Sequence, residues 1–324
     1  MNTPGPTVRR SVADLRAIAD DPTGALRLTR SAVHARADPL EESAPFLSDV
    51  ERRIVDGSAR GLLYVAGSRP IGIALWGEPL ATGLMVEVMY LEPEARSAAA
   101  YIDFYRAVGA ASGPIAFAPG RLAGLPETEE ERVMRALGFE RFARSEMRLP
   151  REAELPPTSD ALTLRTVAPA DAPPLARLLD RAYVHQLDRY LFQIDSDPQR
   201  DAELQIREIF DGRWGEFLPE ASFVVPGPRG LDASTLVVRA SYGPLIAQVM
   251  VDPDRQGQGL GRAVLVATVR ALRARDESPI VLNVTEGNAR AIRLYERVGF
   301  VRSLGPSHGW YSPERVPVGR AARA

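Results

Sequence analysis

The stretch from Val249 to Arg262, VMVDPDRQGQGLGR, carries the pattern that decides the fold. An apolar strand comes first, closely spaced glycines follow, and then a helix begins in which apolar residues recur every three or four positions. Glycines let a backbone turn tightly and approach an anion, and the unpaired N–H groups of a first helical turn point at it. The stretch therefore predicts a phosphate-binding loop between a strand and a helix.

Two other kinds of phosphate loop do not fit these residues. A dinucleotide fingerprint needs glycines at relative positions of about 0, 2 and 5, but counting from Gly257 or Gly259 the last position falls on Arg262 or Val264. A P-loop needs a lysine, and all 40 basic residues are arginines. A nucleotide-dependent oxidoreductase is therefore disfavoured, and a glycine-rich turn without a ligand remains the alternative.

The composition is that of an ordinary globular protein. The chain has 324 residues, of which 45% are apolar and 25% charged, which suggests two domains because a domain usually holds about 100 to 200 residues. Cysteine is absent, and this excludes disulfides, thiolate nucleophiles and thiolate zinc sites. Because the chain has 3 histidines as its remaining nitrogen ligands, we predict no metal.

Charge and hydropathy bear on partners and location. The formal net charge is −2, so no global field would gather nucleic acid or an anionic membrane. No apolar run approaches the length of about 18 residues that spans a bilayer, and Met1–Arg10 holds prolines and arginines instead of a secretory signal. We expect a soluble cytoplasmic protein, monomeric or homodimeric, without nucleic-acid or membrane partners.

The two halves of the chain resemble each other at an offset of about 160 residues. Val86–Arg96 (VEVMYLEPEAR) and Val249–Arg255 (VMVDPDR) are both apolar strands that end in an acidic residue, a proline and an arginine. Met134–Arg141 (MRALGFER) and Tyr295–Arg302 (YERVGFVR) are both helix ends closed by Gly-Phe. Alternation of strand and helix patterns in both halves predicts an α/β fold.

A composition break at Pro150–Asp160 (PREAELPPTSD) divides this repeat. It predicts one domain at 1–150, a linker at 151–160 and a second domain at 161–312. The remaining residues, 313–324, lack periodicity and are predicted to form a disordered tail. Helix patterns in the second domain lie near 170–185, 197–210, 261–275 and 288–298.

A longer pattern surrounds the glycine loop. Its members, in chain order, are Pro253, Arg255, the glycines, a strand about 20 residues later (IVLNV), Asn288, Tyr295 and Gly299-Phe300. This pattern resembles the GNAT superfamily of acyl-CoA N-acyltransferases, specifically within 240–302 and more weakly over 160–312. The resemblance implies the superfamily's mixed-sheet α/β (α+β) fold in two tandem copies, with acetyl-CoA as the acyl donor.

The resemblance also implies which residues bind acetyl-CoA. The superfamily's glycine motif can start at Gln256 and use Gly259 and Gly261, or run through Gly257 and Gly259. In either register the pyrophosphate lies on the loop N–H groups, and the pantetheine arm lies along the diverging strand ends. Asn288 matches a contact position, and a simple helix cap is the equal alternative. The residues so implied are Val249, Met250, Val251, Arg255, Gln256, Gly257, Gln258, Gly259, Leu260, Gly261, Arg262, Asn288, Ala291 and Tyr295.

Tyr295 occupies the position of the tyrosine that faces the CoA sulfur in the superfamily, which implies a general acid; a tyrosine packed in the core is the alternative. Many members carry a glutamate in the strand before the loop, but Leu245–Gln248 (LIAQ) has no carboxylate. The base is therefore either water held by Gln248 or a residue of the 183–216 segment. The predicted acceptor-site residues are Tyr183, His185, Glu216, Gln248 and His308.

The first half carries no equivalent of the glycine loop. Pro93–Ala100 (PEARSAAA) has no glycine and places Glu94 where a pyrophosphate would lie, so we predict a degenerate copy that shapes the acceptor cleft; a residual CoA site is the alternative. The function implied is N-acetyl transfer from acetyl-CoA to a primary amine of a small molecule or peptide. Transfer would be direct, in a ternary complex, because no cysteine can carry the acyl group. The competing hypothesis is a non-catalytic acyl-CoA-binding or sensing module.

Overall fold

The computed structural model describes residues 14–35, 40–157, 162–184, 186–240, 242–303 and 305–316. These residues form two compact units. The elements up to the end of the first half are β1 (Asp14–Ala17), α1 (Pro22–His34), α2 (Leu40–Val55), β2 (Arg60–Ala66), β3 (Arg69–Trp76), β4 (Leu84–Leu91), α3 (Ala98–Ser112), β5 (Ile115–Pro119), α4 (Glu127–Ala136) and β6 (Glu140–Leu149).

The second half has the helices that the sequence predicts, together with a short helix, α6, that it does not. The elements are β7 (Arg165–Thr166), α5 (Ala172–Ala182), α6 (Leu187–Leu191), α7 (Pro198–Phe210), β8 (Glu216–Phe217), β9 (Phe223–Gly227), β10 (Gly230–Ala240), β11 (Gly243–Val251), α8 (Leu260–Arg273), β12 (Ile280–Thr285), α9 (Ala289–Val298), β13 (Val301–Arg302) and β14 (Ser307–Tyr311).

The boundaries of the two units do not coincide with a single division of the chain at the predicted linker. The first comprises Met1–Pro79, Gly83–Arg141 and Gly309–Arg315, and the second Leu80–Thr82, Phe142–His308 and Val316–Ala324. Most of β6, which belongs to the first half by sequence, therefore lies in the second unit, whereas the end of β14 lies in the first. Local sequence patterns identify strands but not the strands they pair with. The assignment of β6 to the second unit and of the end of β14 to the first could therefore not be predicted. Residues 158–161 of the linker region and 317–324 of the predicted tail lie outside the described residues.

Each unit has a mixed sheet. In the first, the strand order is β1-β2-β3-β4-β5-β14, and the β4–β5 pair is parallel while the others are antiparallel. In the second, the order is β6-β12-β11-β10-β9-β7, with β11 and β12 parallel. This confirms the predicted mixed α/β fold. No helix among the described residues has the length and apolar character that a membrane span requires.

The parallel pair of the second unit opens into a cleft. Leu245 pairs with Val281, the one register pair described between β11 and β12, so the strands separate beyond it. A bulge lies at the same place: β10 pairs Leu236 with Gln248 and the next residue with Ile246, so Ala247 has no partner there. Diverging carboxyl ends of parallel strands are where α/β proteins bind ligands.

A buried carboxylate follows the central strand of the second unit. Asp252 comes directly after β11 and is 1% exposed. Arg181 from α5 donates to it at 2.9 Å and Arg229, just before β10, at 3.2 Å. The Asp254 backbone N–H also donates to the carboxylate at 3.0 Å. This cluster holds helix, turn and strand together at the entrance to the glycine loop.

The first unit repeats the same cluster. Glu92 follows β4 and is 6% exposed, and Arg69 donates to it at 2.5 Å. Arg27 from α1 forms a second, short ion pair with Glu92. Glu92 and Arg69 each lie 160 positions before Asp252 and Arg229. The internal repeat therefore extends to the ion pairs that join its elements.

Replacing Asp252 with Asn should lower the free energy of unfolding by about 2 to 3 kcal/mol, because hydrogen bonds to a buried charge contribute about 1.5 to 3 kcal/mol. Asp254→Asn is the matched control, since Asp254 also binds Arg229, at 2.5 Å, but is 70% exposed. Its loss should stay within about 0.5 kcal/mol. Denaturant unfolding curves measure both; equal effects would contradict a structural role for the buried site.

Candidate active site

A cavity of about 680 Å³ lies where β11 and β12 separate. Its walls come from the end of α5, from β11, from the glycine loop with the start of α8, and from α9. The lining residues are Ala182, Tyr183, Gln186, Val249, Val251, Arg255, Gln256, Gly257, Gln258, Gly259, Leu260, Gly261, Arg262, Asn288, Arg290, Ala291, Arg293, Leu294, Tyr295 and Arg297. The loop predicted from the sequence thus borders a real cleft.

The loop owes its path to two glycines in the left-handed region. Gly257 has φ +81° and Gly259 φ +79°, a conformation that costs an ordinary L-residue about 1 to 2 kcal/mol. A Cβ at either position would meet nothing within 4 Å. Glycine is therefore required here by backbone conformation and not by lack of space.

Gly261 is favoured by close packing and not by backbone conformation. A Cβ at this position would lie 3.1 Å from Leu294 Cδ2 and 3.2 Å from Val251 Cγ2. Its absence lets the first turn of α8 pack closely against β11 and α9. All three glycines therefore have a physical role, and both registers of the motif are compatible with the structure.

The first turn of α8 offers unpaired N–H groups to the cavity. Gly259 is the N-cap and supplies no side-chain hydrogen bond, so the N–H groups of the first turn have no intrahelical partner. Leu260, Gly261 and Arg262 of that turn line the cavity. The positive end of the 14-residue helix adds to the attraction for an anion.

The charge of the cavity wall is uniformly positive. Five arginines line it, and no aspartate or glutamate does so among the described residues. Arg255 is held by Asp232 at 3.0 Å, and Arg290 bonds to the side chain of Gln256. Arg290, Arg293 and Arg297 follow one face of α9, a basic stripe that the sequence analysis missed although its three- and four-residue spacing was visible.

Asn288 serves as a helix cap and as part of the wall at once. Its side-chain oxygen accepts from the Ala291 backbone N–H at 3.1 Å, and its side-chain nitrogen donates to Gln186 at 3.1 Å. The two sequence interpretations are therefore compatible, since the capping side chain also faces the cavity.

Tyr295 lines the cavity from α9. It projects from α9, is 7% exposed, and packs near Phe300 with ring centroids 6.3 Å apart. Burial, and to a smaller extent the negative charge of Asp188, raises the pKa of its hydroxyl above the ordinary value. The hydroxyl therefore stays protonated at neutral pH and can donate a proton or a hydrogen bond.

A second cavity, of about 50 Å³, adjoins the first. Tyr183, Asn288 and Tyr295 line both. Gln248, which the sequence predicts as an acceptor-site residue, lines the small cavity and is 6% exposed. The rest of its lining is Arg144, Leu179, Asp188, Arg189, Phe192, Gln205, Ala247, Asn283 and Val284. Two polar recesses thus meet at the tyrosine pair.

Other predicted site residues lie elsewhere. Met250 is fully buried against α5 and α7 and lines neither cavity, because it points to the opposite face of β11 from Val249 and Val251. Glu216, on β8, is exposed and pairs with Arg239 at 3.2 Å. His308 is exposed on β14. Neither Glu216 nor His308 is among the described lining residues of the two cavities.

His185 lies outside the described residues. Its neighbours Tyr183 and Gln186 line the large cavity. In the described part of the chain, no three histidine or acidic side chains come together as metal ligands.

Comparisons with known proteins bear on the class. Residues 235–300 match the family described as Acetyltransferase (GNAT) family. A mycothiol acetyltransferase from Acidothermus cellulolyticus is 32% identical over 183 residues, 52% of this chain and 54% of that protein. Shorter alignments to proteins of the same name cover only 16 to 21% of their lengths. The chain therefore spans about half or less of these curated relatives.

Two solved structures share the fold along most of the chain. A GCN5-related N-acetyltransferase from Sphaerobacter thermophilus superposes with a TM-score of 0.57 at 18% identity, covering 92% of this chain and 94% of the other. A tandem GNAT protein from the clavulanic acid biosynthesis pathway gives a TM-score of 0.52 at 15% identity, covering 92% and 97%. Together with the family match, these confirm that the chain resembles GNAT acetyltransferases, and they show that its fold is shared with a tandem GNAT protein.

Proposed function

We propose that the second unit binds acetyl-CoA in the large cavity and transfers its acetyl group to a primary amine of a small molecule or peptide. The lining of the large cavity carries the proposal. It combines a loop whose glycines have left-handed backbone conformation, five arginines and a buried tyrosine. The family match at 235–300 supports acetyl transfer in general.

The chain's residues fit a long anionic donor. The N–H groups of Gly261 and Arg262 would hold the pyrophosphate, and the arginines of α9 would neutralise further phosphate charge. The backbone edge of β11 at Val249 and Val251 lines the cavity, and the Val251 carbonyl accepts a long bond of 3.4 Å from Gln256 Nε2. In the complex this edge would bond the amides of the pantetheine arm as an added strand does, displacing the Gln256 side chain. The thioester then lies near Tyr295.

Acetyl-CoA supplies an activated acyl group. The chain supplies the groups that take a proton from the amine and donate one to the departing sulfur. An amine attacks only when neutral, so it must lose a proton, and Asp188 is the one carboxylate among the described residues that line the small cavity. The raised pKa of Tyr295 keeps its hydroxyl protonated, ready to donate toward the departing sulfur. Transfer is direct, since the chain has no cysteine to carry the acyl group.

The first unit has a structural role in this proposal. Its α3 begins with the Ser97 side chain accepting from the Ala100 backbone N–H at 3.1 Å, so the helix end is already capped where a phosphate would lie. Glu94 is exposed beside it and pairs with Arg69. Both features disfavour an anion, and we assign acyl-donor binding to the second unit alone.

The proposal is tested by mixing the full chain with acetyl-CoA and a panel of primary amines and following thiol release with a disulfide dye. The protein contributes no background because it has no cysteine. We expect amine-dependent release of CoA. Tight binding of acetyl-CoA without turnover of any amine would instead indicate the acyl-CoA-binding or sensing module, and absence of binding would refute both.

A further inference from the structure

The small cavity contains two buried polar atoms that lack partners. Among the described residues, neither Gln248 Oε1 nor Arg144 Nε has a hydrogen bond. Both residues line this cavity, whose wall also includes Tyr295. Buried polar atoms are nearly always satisfied in native proteins, and an unsatisfied one needs an explanation such as a missing ligand.

Arg144 is fixed in place although its Nε is unpaired. It lies on β6, its guanidinium is 5.6 Å from the centre of the Phe192 ring, and its Nη2 is 3.3 Å from an oxygen of Asp188. That same oxygen accepts from the Thr285 hydroxyl at 2.9 Å. The side chain is therefore held by a carboxylate and an aromatic face, while its buried Nε–H has no partner.

The polar atoms of this cavity form a complementary set. Asp188 and the Gln248 oxygen accept hydrogen bonds, and Arg144 Nε donates one, all beside Tyr295. A group that fills such a set carries N–H donors and an oxygen acceptor close together. A primary amine next to a carboxylate or carbonyl has both, whereas a simple alkylamine would leave the arginine N–H buried and unpaired.

We infer that the acceptor is an α-amino compound, a free amino acid or the first residue of a peptide. The amine binds Asp188 and the Gln248 oxygen, and the neighbouring carboxylate or carbonyl oxygen accepts from Arg144 Nε. This inference rests on the proposed function and narrows its acceptor class. Arg144 is the residue on which the selectivity depends, because its Nε–H is the buried donor of this set that lacks a partner.

The acceptor class is tested with matched amines. The panel holds the common amino acids, their amides, alanyl dipeptides and the decarboxylated amine of each amino acid, with CoA release as the readout. We expect at least one α-amino compound to react with a kcat/KM at least tenfold above that of its decarboxylated amine. The inference is overturned if the decarboxylated amines react as well, or if no α-amino compound reacts while acetyl-CoA still binds.

Two substitutions test whether Arg144 and Gln248 bind the acceptor. Arg144→Lys keeps the charge beside Asp188 but has no Nε donor, and Gln248→Met keeps the side-chain length but has no acceptor. Each should raise the KM of the best α-amino acceptor at least tenfold, and Arg144→Lys should also remove its preference over the decarboxylated amine. Arg148→Lys is the control, since Arg148 also lies on β6 but is 45% exposed and pairs with Glu146.

The affinity for acetyl-CoA, measured by titration, should stay within twofold of the wild-type value in all three variants. Retained binding shows that the variants fold. This separates the inference from the proposed function. A wild-type protein that does not bind acetyl-CoA would refute the proposed function and the inference with it, whereas acetyl transfer without a preference for α-amino compounds would refute the inference alone. An unchanged KM and an unchanged preference in Arg144→Lys would overturn the inference.

Discussion

Gly259→Glu should weaken acetyl-CoA binding by about a hundredfold or more. The new carboxylate would lie beside the N–H groups that we assign to the pyrophosphate, and losing two charge-assisted hydrogen bonds of about 1.5 to 3 kcal/mol each gives an effect of this size. The left-handed backbone at this position, φ +79°, adds strain of about 1 to 2 kcal/mol. Isothermal titration of the full chain measures the affinity.

Gly57→Glu is the matched control for strain. Gly57 has φ +76°, is exposed, and a Cβ there would meet nothing within 4 Å, so it presents the same conformational cost in the first unit. The affinity of the Gly57→Glu variant for acetyl-CoA should equal that of the wild-type protein. If Gly259→Glu binds acetyl-CoA as tightly as Gly57→Glu does, the glycine loop is a structural turn and not a phosphate site.

Tyr295→Phe should lower kcat by about a hundredfold or more and leave the affinity for acetyl-CoA nearly unchanged. General acid catalysis contributes about 10² to 10⁴ in rate, and the substitution removes only the hydroxyl. Packing against Phe300 and burial in α9 are retained by the phenyl ring. Steady-state CoA release with a saturating amine measures kcat, and titration measures the affinity.

Tyr183→Phe is the comparison within the site, because Tyr183 lines the same two cavities. We expect it to change kcat by less than tenfold, since the proposal assigns proton donation to the sulfur to Tyr295 and not to Tyr183. Equal losses in the two variants would contradict the assignment of Tyr295 as the proton donor.

The pH profile gives an independent check on Tyr295. Burial and the charge of Asp188 raise the pKa of Tyr295 above the ordinary value of about 10. The hydroxyl therefore keeps its proton, and can donate it, at every pH below about 10. The rate should therefore show no falling alkaline limb from this group below about pH 10. A limb near pH 8 that disappears in Tyr295→Phe would mean that the hydroxyl ionises far more easily than its burial allows.

The glycine loop and the helix after it were predictable because their requirements are local. Left-handed backbone at Gly257 and Gly259 leaves glycine as the residue of choice, and the period of α8 is visible in its apolar residues. The offset of 160 between the halves was also visible, and it extends to the pair Arg69 and Arg229, which bind equivalent carboxylates in the two units.

The acceptor side of the site was less predictable because it is assembled from distant segments. Arg144 lies about a hundred residues before Gln248 in the sequence, and they line one cavity only because β6 pairs with β12. Asp188 belongs to the segment that the sequence singled out, but nothing in its neighbours distinguished it from Glu216. Its place in the lining of the small cavity distinguishes it, since Glu216 is exposed and paired with Arg239.

The structure of the full chain crystallised with acetyl-CoA tests the central claim most directly. We expect one molecule per chain, with its pyrophosphate within hydrogen-bond distance of the backbone N–H groups of Gly261 and Arg262 and its sulfur next to the Tyr295 hydroxyl. Acetyl-CoA bound at the first unit beside Ser97, or with its thioester away from Tyr295, would contradict the account.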